Sequence, residues 1–203
     1  LSRRDLKQFA ARLGLDDEQL LIVEELHREY AEAYRTLPEL ARVREANQQL
    51  WVNDAESGGS RAPTNAKLET VFRARREAFE AIVTLDNSFF DDMRTVALRE
   101  DQRPALDRVR RLRLRRMYLL DGAVQVYYGM GQSSEGTVDI VDVIEEQDLS
   151  DDERAAIDPI LDEYEAATLE AFRTRFEAHV AVQQASERWS VVAVRAQENG
   201  TAP

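Results

Sequence analysis

Cysteine is absent from this 203-residue chain, which excludes disulfides, thiol catalysis and zinc–thiolate sites. Glycine and proline are scarce, with 8 and 5 residues, too few for the many turns of an all-β protein. Lysine occurs only at Lys7 and Lys67, the other 25 basic residues being Arg, as a GC-rich coding sequence would produce. Aromatic residues make up 7%. No apolar run reaches the roughly 18 residues that a membrane span needs, and no signal peptide is recognisable. The first residue is Leu rather than Met, as expected of a processed form or the ordered part of a longer chain.

Charge and helical periodicity are what the sequence has in abundance. Charged residues are 33% of the chain, and the formal net charge is -12. That acidity disfavours nucleic acid as a partner, because phosphates are repelled overall. The 43% hydrophobic share is enough for a core and argues against disorder. Ser2 with Asp5, and Asp16 with Gln19, read as helix starts, and Gly14 reads as the stop between them. Leu6, Phe9, Ala10 and Leu13 share one face of the first helix. Leu20, Val23, Leu26, Tyr30, Ala33 and Tyr34 follow on the second at steps of three and four. Pro38 kinks or splits that helix, and the pattern resumes through Leu40, Val43, Ala46 and Leu50.

Residues 53–63 form a connector broken by Gly58, Gly59 and Pro63. A long helix is expected from Thr64 to Leu98, with Leu68, Phe72, Phe79, Ile82, Phe89, Met93 and Val96 on its stripe. Another spans 101–118, with Pro104 tolerated in its first turn. A second connector covers 121–136, and a small helix starts at Thr137. The last helix runs from Asp151 to about Ala196, bent at Pro159. Its expected buried stripe is Ile157, Ile160, Leu161, Tyr164, Leu169, Phe172, Phe176 and Val180. Ala166, Ala167, Ala171 and Ala178 permit close helix approach. A helix of about 45 residues would extend roughly 68 Å. A compact domain of this size has a radius of gyration of about 17 Å. The apolar seam must therefore meet another long helix, from residues 64–98 or from a second copy. The expected fold is an all-α, elongated helical-hairpin bundle with long amphipathic helices. Residues 1–120 would form an N-terminal hairpin region and 121–203 a C-terminal region packing on it, or the two would be one continuous domain.

A short pattern recurs three times, as Leu15-Asp16-Asp17-Glu18-Gln19-Leu20, Leu98-Arg99-Glu100-Asp101-Gln102-Arg103 and Leu149-Ser150-Asp151-Asp152-Glu153-Arg154. Tyr30 and Tyr164 each lie fifteen residues after the leading Leu of their copy, each preceded by Glu. The pattern resembles the LTxxQ motif of the CpxP/Spy group of periplasmic all-helical proteins, with Asp16, Arg99 and Ser150 standing where that motif has Thr. The resemblance implies an envelope or secreted location in a bacterium, antiparallel helical hairpins, cradle-shaped dimers and a role in binding other chains. It implies no catalytic residue.

Few residues suggest chemistry. Glu24-x-x-His27 has the spacing of one half of a di-iron helix-bundle site. His179, the only other His, has Phe176 three residues before it, so the second half is missing. The plainer reading of His27 is a half-exposed surface residue in a salt-bridged helix. No G-x-S-x-G elbow occurs. The Gly129-Met130-Gly131 to Gly136 stretch lacks the Lys of a phosphate loop. Tyr127 and Tyr128 beside it are candidates for a contact surface or for ordinary packing.

The charge layout is more informative. From Arg103 to Arg116 there are seven Arg and one acid. From Asp139 to Glu170 there are thirteen acids and one base. Side by side, within a chain or between subunits, these segments would relieve each other. The alternative is an external anion bound by Arg108, Arg111 and Arg115, whose forks suit carboxylates and phosphates alike. The interaction candidates are thus Arg108, Arg111, Arg115, Asp151, Asp152, Glu153, Tyr127 and Tyr128. No catalytic residue, cofactor, metal or small-molecule ligand is expected. The expected function is that of a non-enzymatic extracytoplasmic protein working through protein–protein contacts, as a self-associating scaffold, structural subunit or chaperone-like binder. Glu24/His27 metal handling and anion binding by the Arg segment are the alternatives.

Overall fold

The computed structural model describes residues 1–50, 62–119, 140–145, 147 and 149–201. Tyr127, Tyr128, Gly129 to Gly136 and most of both expected connectors lie outside the described residues. The fold is all-α: no strand occurs among the described residues. The helices are α1 (Arg3–Leu13), α2 (Asp17–Thr36), α3 (Pro38–Leu50), α4 (Asn65–Val96), a 3-10 turn (Glu100–Gln102), α5 (Arg103–Tyr118), α6 (Ile140–Glu145) and α7 (Asp151–Glu198).

Local chemistry sets these boundaries. Ser2 Oγ accepts from the Asp5 amide at 3.2 Å, while the Asp5 carboxylate accepts from the Ser2 amide at 2.8 Å. These reciprocal bonds satisfy amides that the first turn leaves without helical partners. Gly14 closes α1 in the left-handed conformation, φ 57°, where a side chain would be strained. Pro38 has no amide to continue α2 and opens α3 instead. Thr64 Oγ1 accepts from the Lys67 amide at 3.2 Å at the start of α4. Pro159 lies inside α7, which continues through it for 48 residues in all.

The chain forms two compact units, residues 1–35 with 83–176, and residues 36–82 with 177–203. The units interleave along the sequence, so each draws on both sides of residue 120. The first is built from α1, α2, the later part of α4, α5, α6 and the earlier part of α7. Its core contains Leu6, Phe9, Leu13, Val23, Tyr30, Phe89, Phe90, Met93, Leu106, Val109 and Leu112. Phe89 lies 5.6 Å from Phe90 and 5.6 Å from Tyr30, edge to face, an arrangement that aligns ring edges with the negative ring faces.

The second unit packs α3, the earlier part of α4 and the later part of α7. Val43, Ala46, Leu50, Leu68, Val71, Phe72, Ala78, Phe79, Ile82 and Val191 are buried there. Arg75 bridges Glu187 at 2.7 Å and Asn47 at 3.1 Å. Arg188 lies over the Phe72 ring at 5.0 Å while pairing with Glu69 at 2.8 Å. Residues 65–82 thus supply the long-helix partner expected for this part of α7.

Two stripe residues face solvent instead of the core. Val96 ends α4, where the chain turns away and buries Ala97 and Leu98. Ile160 is exposed because the buried line of α7 runs through Leu161, Glu165 and Phe176, about 100° to 160° around the helix from Ile160. Ala166, Ala167, Ala171 and Ala178 are also exposed, so they do not mediate packing within the chain.

Candidate functional site: the arginine helix and the paired glutamines

Helix α5 carries an arginine on nearly every face, and carboxylates from its neighbours meet them. On the α7 side, Arg108 lies 2.8 Å from Asp158, and Arg111 lies 2.5 Å from Asp162 and 3.0 Å from Glu165. Arg115, fully buried, has Nη1 3.7 Å from the same Glu165. On the α4 side, Arg110 pairs with Asp91 at 3.0 Å, and Arg113 pairs with Asp86 at 2.7 Å. Arg94 reaches back from α4 to Asp107. Burial works against the charge of Arg108, but Asp158, Glu165 and Asp162 outweigh it and hold its pKa above the usual arginine value.

The basic and acidic segments therefore neutralise each other inside one unit. The anion that meets Arg108, Arg111 and Arg115 is α7's own carboxylate row. The acids engaged lie one to three turns beyond those singled out from the sequence. Asp152 is exposed, and Glu153 serves its own helix start. Asp158, Asp162 and Glu165 were hidden among thirteen acids, because charge density marks a segment but not the rotation of a helix.

Beside this row lies an open cleft of about 1060 Å³ among α1, α5, α6 and the start of α7. Val109, Leu112, Val141, Ile157 and Leu161 line its apolar part, and Arg4, Arg12, Arg116 and Arg154 its basic part. Among the described residues that line it there is no Ser, Thr, Tyr or His, and of its acids, Asp5, Asp158 and Glu165, the last two pair with arginines of α5. Arg116 donates to Gln8 at 2.8 Å, which ties α5 to α1 across the cleft.

The Glu24-x-x-His27 pair is not brought together as a ligand set. Glu24 is exposed, whereas His27 is buried, with Nε2 3.3 Å from the Leu1 carbonyl oxygen. The half-exposed surface histidine expected from the sequence is thus corrected. His27 packs between Tyr30 and Phe89, whose rings lie 6.1 and 6.3 Å away, because the Val23–Tyr30 face turns inward. Among the described residues, no group of three or more metal-donor side chains converges. No described helix is long and apolar enough to cross a membrane.

The recurring six-residue pattern has a common geometry. In each copy the fifth residue accepts a hydrogen bond from the backbone amide of the second. Gln19 accepts from Asp16 at 3.2 Å, Gln102 from Arg99 at 3.0 Å, and Glu153 from Ser150 at 2.9 Å. The first two copies also bind each other. Gln19 Nε2 donates to Gln102 Oε1 at 2.8 Å and to the Ala97 carbonyl at 2.7 Å. Gln102 Nε2 donates to the carbonyls of Leu13 and Gly14 at 3.1 and 3.2 Å. Arg99 cannot accept from its own helix, and its guanidinium instead pairs with Asp16 at 2.7 Å. Two buried amides thereby satisfy the carbonyls at the ends of α1 and α4.

Gln102→Ala should cost about 1–3 kcal/mol, because it strands buried polar groups without replacing their partners. Urea denaturation checks this, and Gln19→Ala in the same background should add little, since both belong to one network.

Acid should loosen the helix starts. The Asp16 carboxyl is held below its usual pKa, chiefly by the backbone N–H of Gln19 and then by Arg99. Glu153 is lowered by the Ser150 hydroxyl and then by the Ser150 amide. Folded values below unfolded ones mean that this stabilisation is complete above about pH 5 and is lost as pH falls through the folded values. Helicity followed by circular dichroism between neutral pH and pH 2 should fall less steeply in the double variant Asp16→Asn/Glu153→Gln than in the parent.

In comparisons with known proteins, no family model matches the chain, and neither a curated protein nor a solved structure does.

Proposed function

We propose that the chain is a non-enzymatic, extracytoplasmic helical protein that works through protein–protein contacts, as a self-associating scaffold or chaperone-like binder. The observation that carries this reading is the set of large apolar side chains left on the outside of well-packed helices. Leu21 and Ile22 stand out on α2, Val96 ends α4, and Ile160, Val182, Trp189 and Val192 lie along α7. Trp189 is 72% exposed. Trp is the side chain most enriched at binding hot spots, and one left in water gains its apolar burial only when a partner covers it. The extracytoplasmic location rests on the resemblance of the three helix-start motifs to LTxxQ.

Sedimentation velocity over a wide concentration range, together with suppression of aggregation of a thermally unfolding client protein, tests the proposal. Either concentration-dependent assembly or client protection is the expected result. A monomer at every concentration with no effect on the client would overturn it.

A further inference from the structure

We infer that the later part of α7 is a self-association surface, and that a second copy of the chain docks on it antiparallel, with the two-fold axis crossing the seam at the level of residue 187. This rests on the reading of the chain as a protein that works through contacts, and it names the partner and the register. Ala178, Val182, Ala185, Trp189, Val192 and Ala196 are separated by four, three, four, three and four residues. That is the heptad spacing of a coiled-coil seam. Val182, Trp189 and Val192 are 65%, 72% and 58% exposed.

The opposite face of the same segment is already in use. Val191 is buried, Glu187 pairs with Arg75, and Arg188 covers Phe72. A turn of 100° per residue sets Trp189 about 160° away from Val191. A surface helix normally needs one apolar face, and this segment has two.

Size complementarity selects a copy of the same segment as the occupant. In an antiparallel pair about residue 187, Trp189 meets Ala185 of the second copy, Val192 meets Val182, and Ala196 meets Ala178. The bulkiest side chain then fills the space over one of the smallest, as close packing requires. A parallel pair would set Trp189 on Trp189 and alanine on alanine, leaving layers both overfilled and empty.

Charge agrees. In a chain of net charge -12, residues 178–197 hold one acid, Glu187, and two arginines, whereas residues 151–177 hold nine acids and three arginines. Two copies can therefore approach along this seam without the repulsion that the acidic residues 151–177 would impose. The seam is about 28 Å long and roughly one helix diameter wide. That is well short of the roughly 800 Å² per partner of a standard interface, so the dimer is weak and reversible.

Because the chain has no cysteine, single-cysteine variants report the register directly. A mixture of Val182→Cys and Val192→Cys should cross-link with a short bismaleimide, while either variant alone should not. In sedimentation equilibrium, Trp189→Ala and Ala185→Trp should each weaken the dimer by about tenfold or more. The double variant Ala185→Trp/Trp189→Ala rebuilds the same layers with the partners exchanged and should recover most of the affinity. Unchanged helicity by circular dichroism shows that each variant is folded. Cross-linking of Val192→Cys alone would overturn the antiparallel register. A dimer indifferent to Trp189→Ala would move self-association to another surface, overturning this inference while leaving the proposed function standing. A monomer whose client protection depends on Trp189 would do the same.

Discussion

Replacing Asp86 with alanine should lower stability by about 3–5 kcal/mol, the cost of breaking a buried ion pair from one side. Asp86 is 1% exposed and lies on α4. It accepts from the Tyr30 hydroxyl at 2.6 Å and from Arg113 Nε at 2.7 Å. Burial pulls against the charged form of Arg113, yet Asp86 more than offsets this and its pKa lies above the usual arginine value. Burial, reinforced by the Asp86 charge and hydrogen bond, pushes the Tyr30 hydroxyl up as well. The triad thus joins α2, α4 and α5 through one carboxylate. Its removal strands a largely buried guanidinium and an inward-facing phenol. Urea denaturation followed by circular dichroism measures the loss. The double variant Asp86→Leu/Arg113→Met should recover much of it, because a well-packed apolar pair can replace a buried ionic one.

The second large effect is expected at Glu165→Ala, again about 3–5 kcal/mol. Glu165 is 2% exposed and gathers Arg111 at 3.0 Å, Arg115 at 3.7 Å and Arg108 at 3.9 Å. Asp158 on the same helix provides the contrast. It pairs with Arg108 at 2.8 Å, a shorter distance, but is largely exposed to water. Asp158→Ala should therefore cost no more than about 1 kcal/mol. Burial, not distance, decides which pair matters, since water screens the outer one and compensates its loss. Hydrogen exchange should show the earlier part of α7 opening more often in Glu165→Ala and scarcely changed in Asp158→Ala.

Much of the local architecture was legible in the residues alone. The starts at Ser2, Asp16 and Ser150, the stop at Gly14 and the break at Pro38 each depend on groups within a few positions of one another. The inward faces of α1, α3 and most of α4 followed from steps of three and four. Ile160 and Val96 were misplaced because periodicity defines a stripe but not its width or its end. Apolar neighbours beside a stripe look alike until the partner helix is known. His27 was misread for the same reason: its polarity suggested the surface, while its position between Val23 and Tyr30 turned it inward.

At the candidate site, the sequence identified which segments carry opposite charge and supplied the three matching helix starts. Helical propensity, capping and charge are properties of neighbours along the chain, and they determined that this protein is all-α with an arginine-rich helix and an acid-rich one. Only tertiary packing decided that Gln19 binds Gln102, that Glu165 rather than Asp152 gathers the arginines, and that Trp189 stays outside. Those choices depend on the rotation of one helix against another. Residues more than 50 positions apart settle it together through the shape of a shared core, and no short window of sequence contains both sides of that contact.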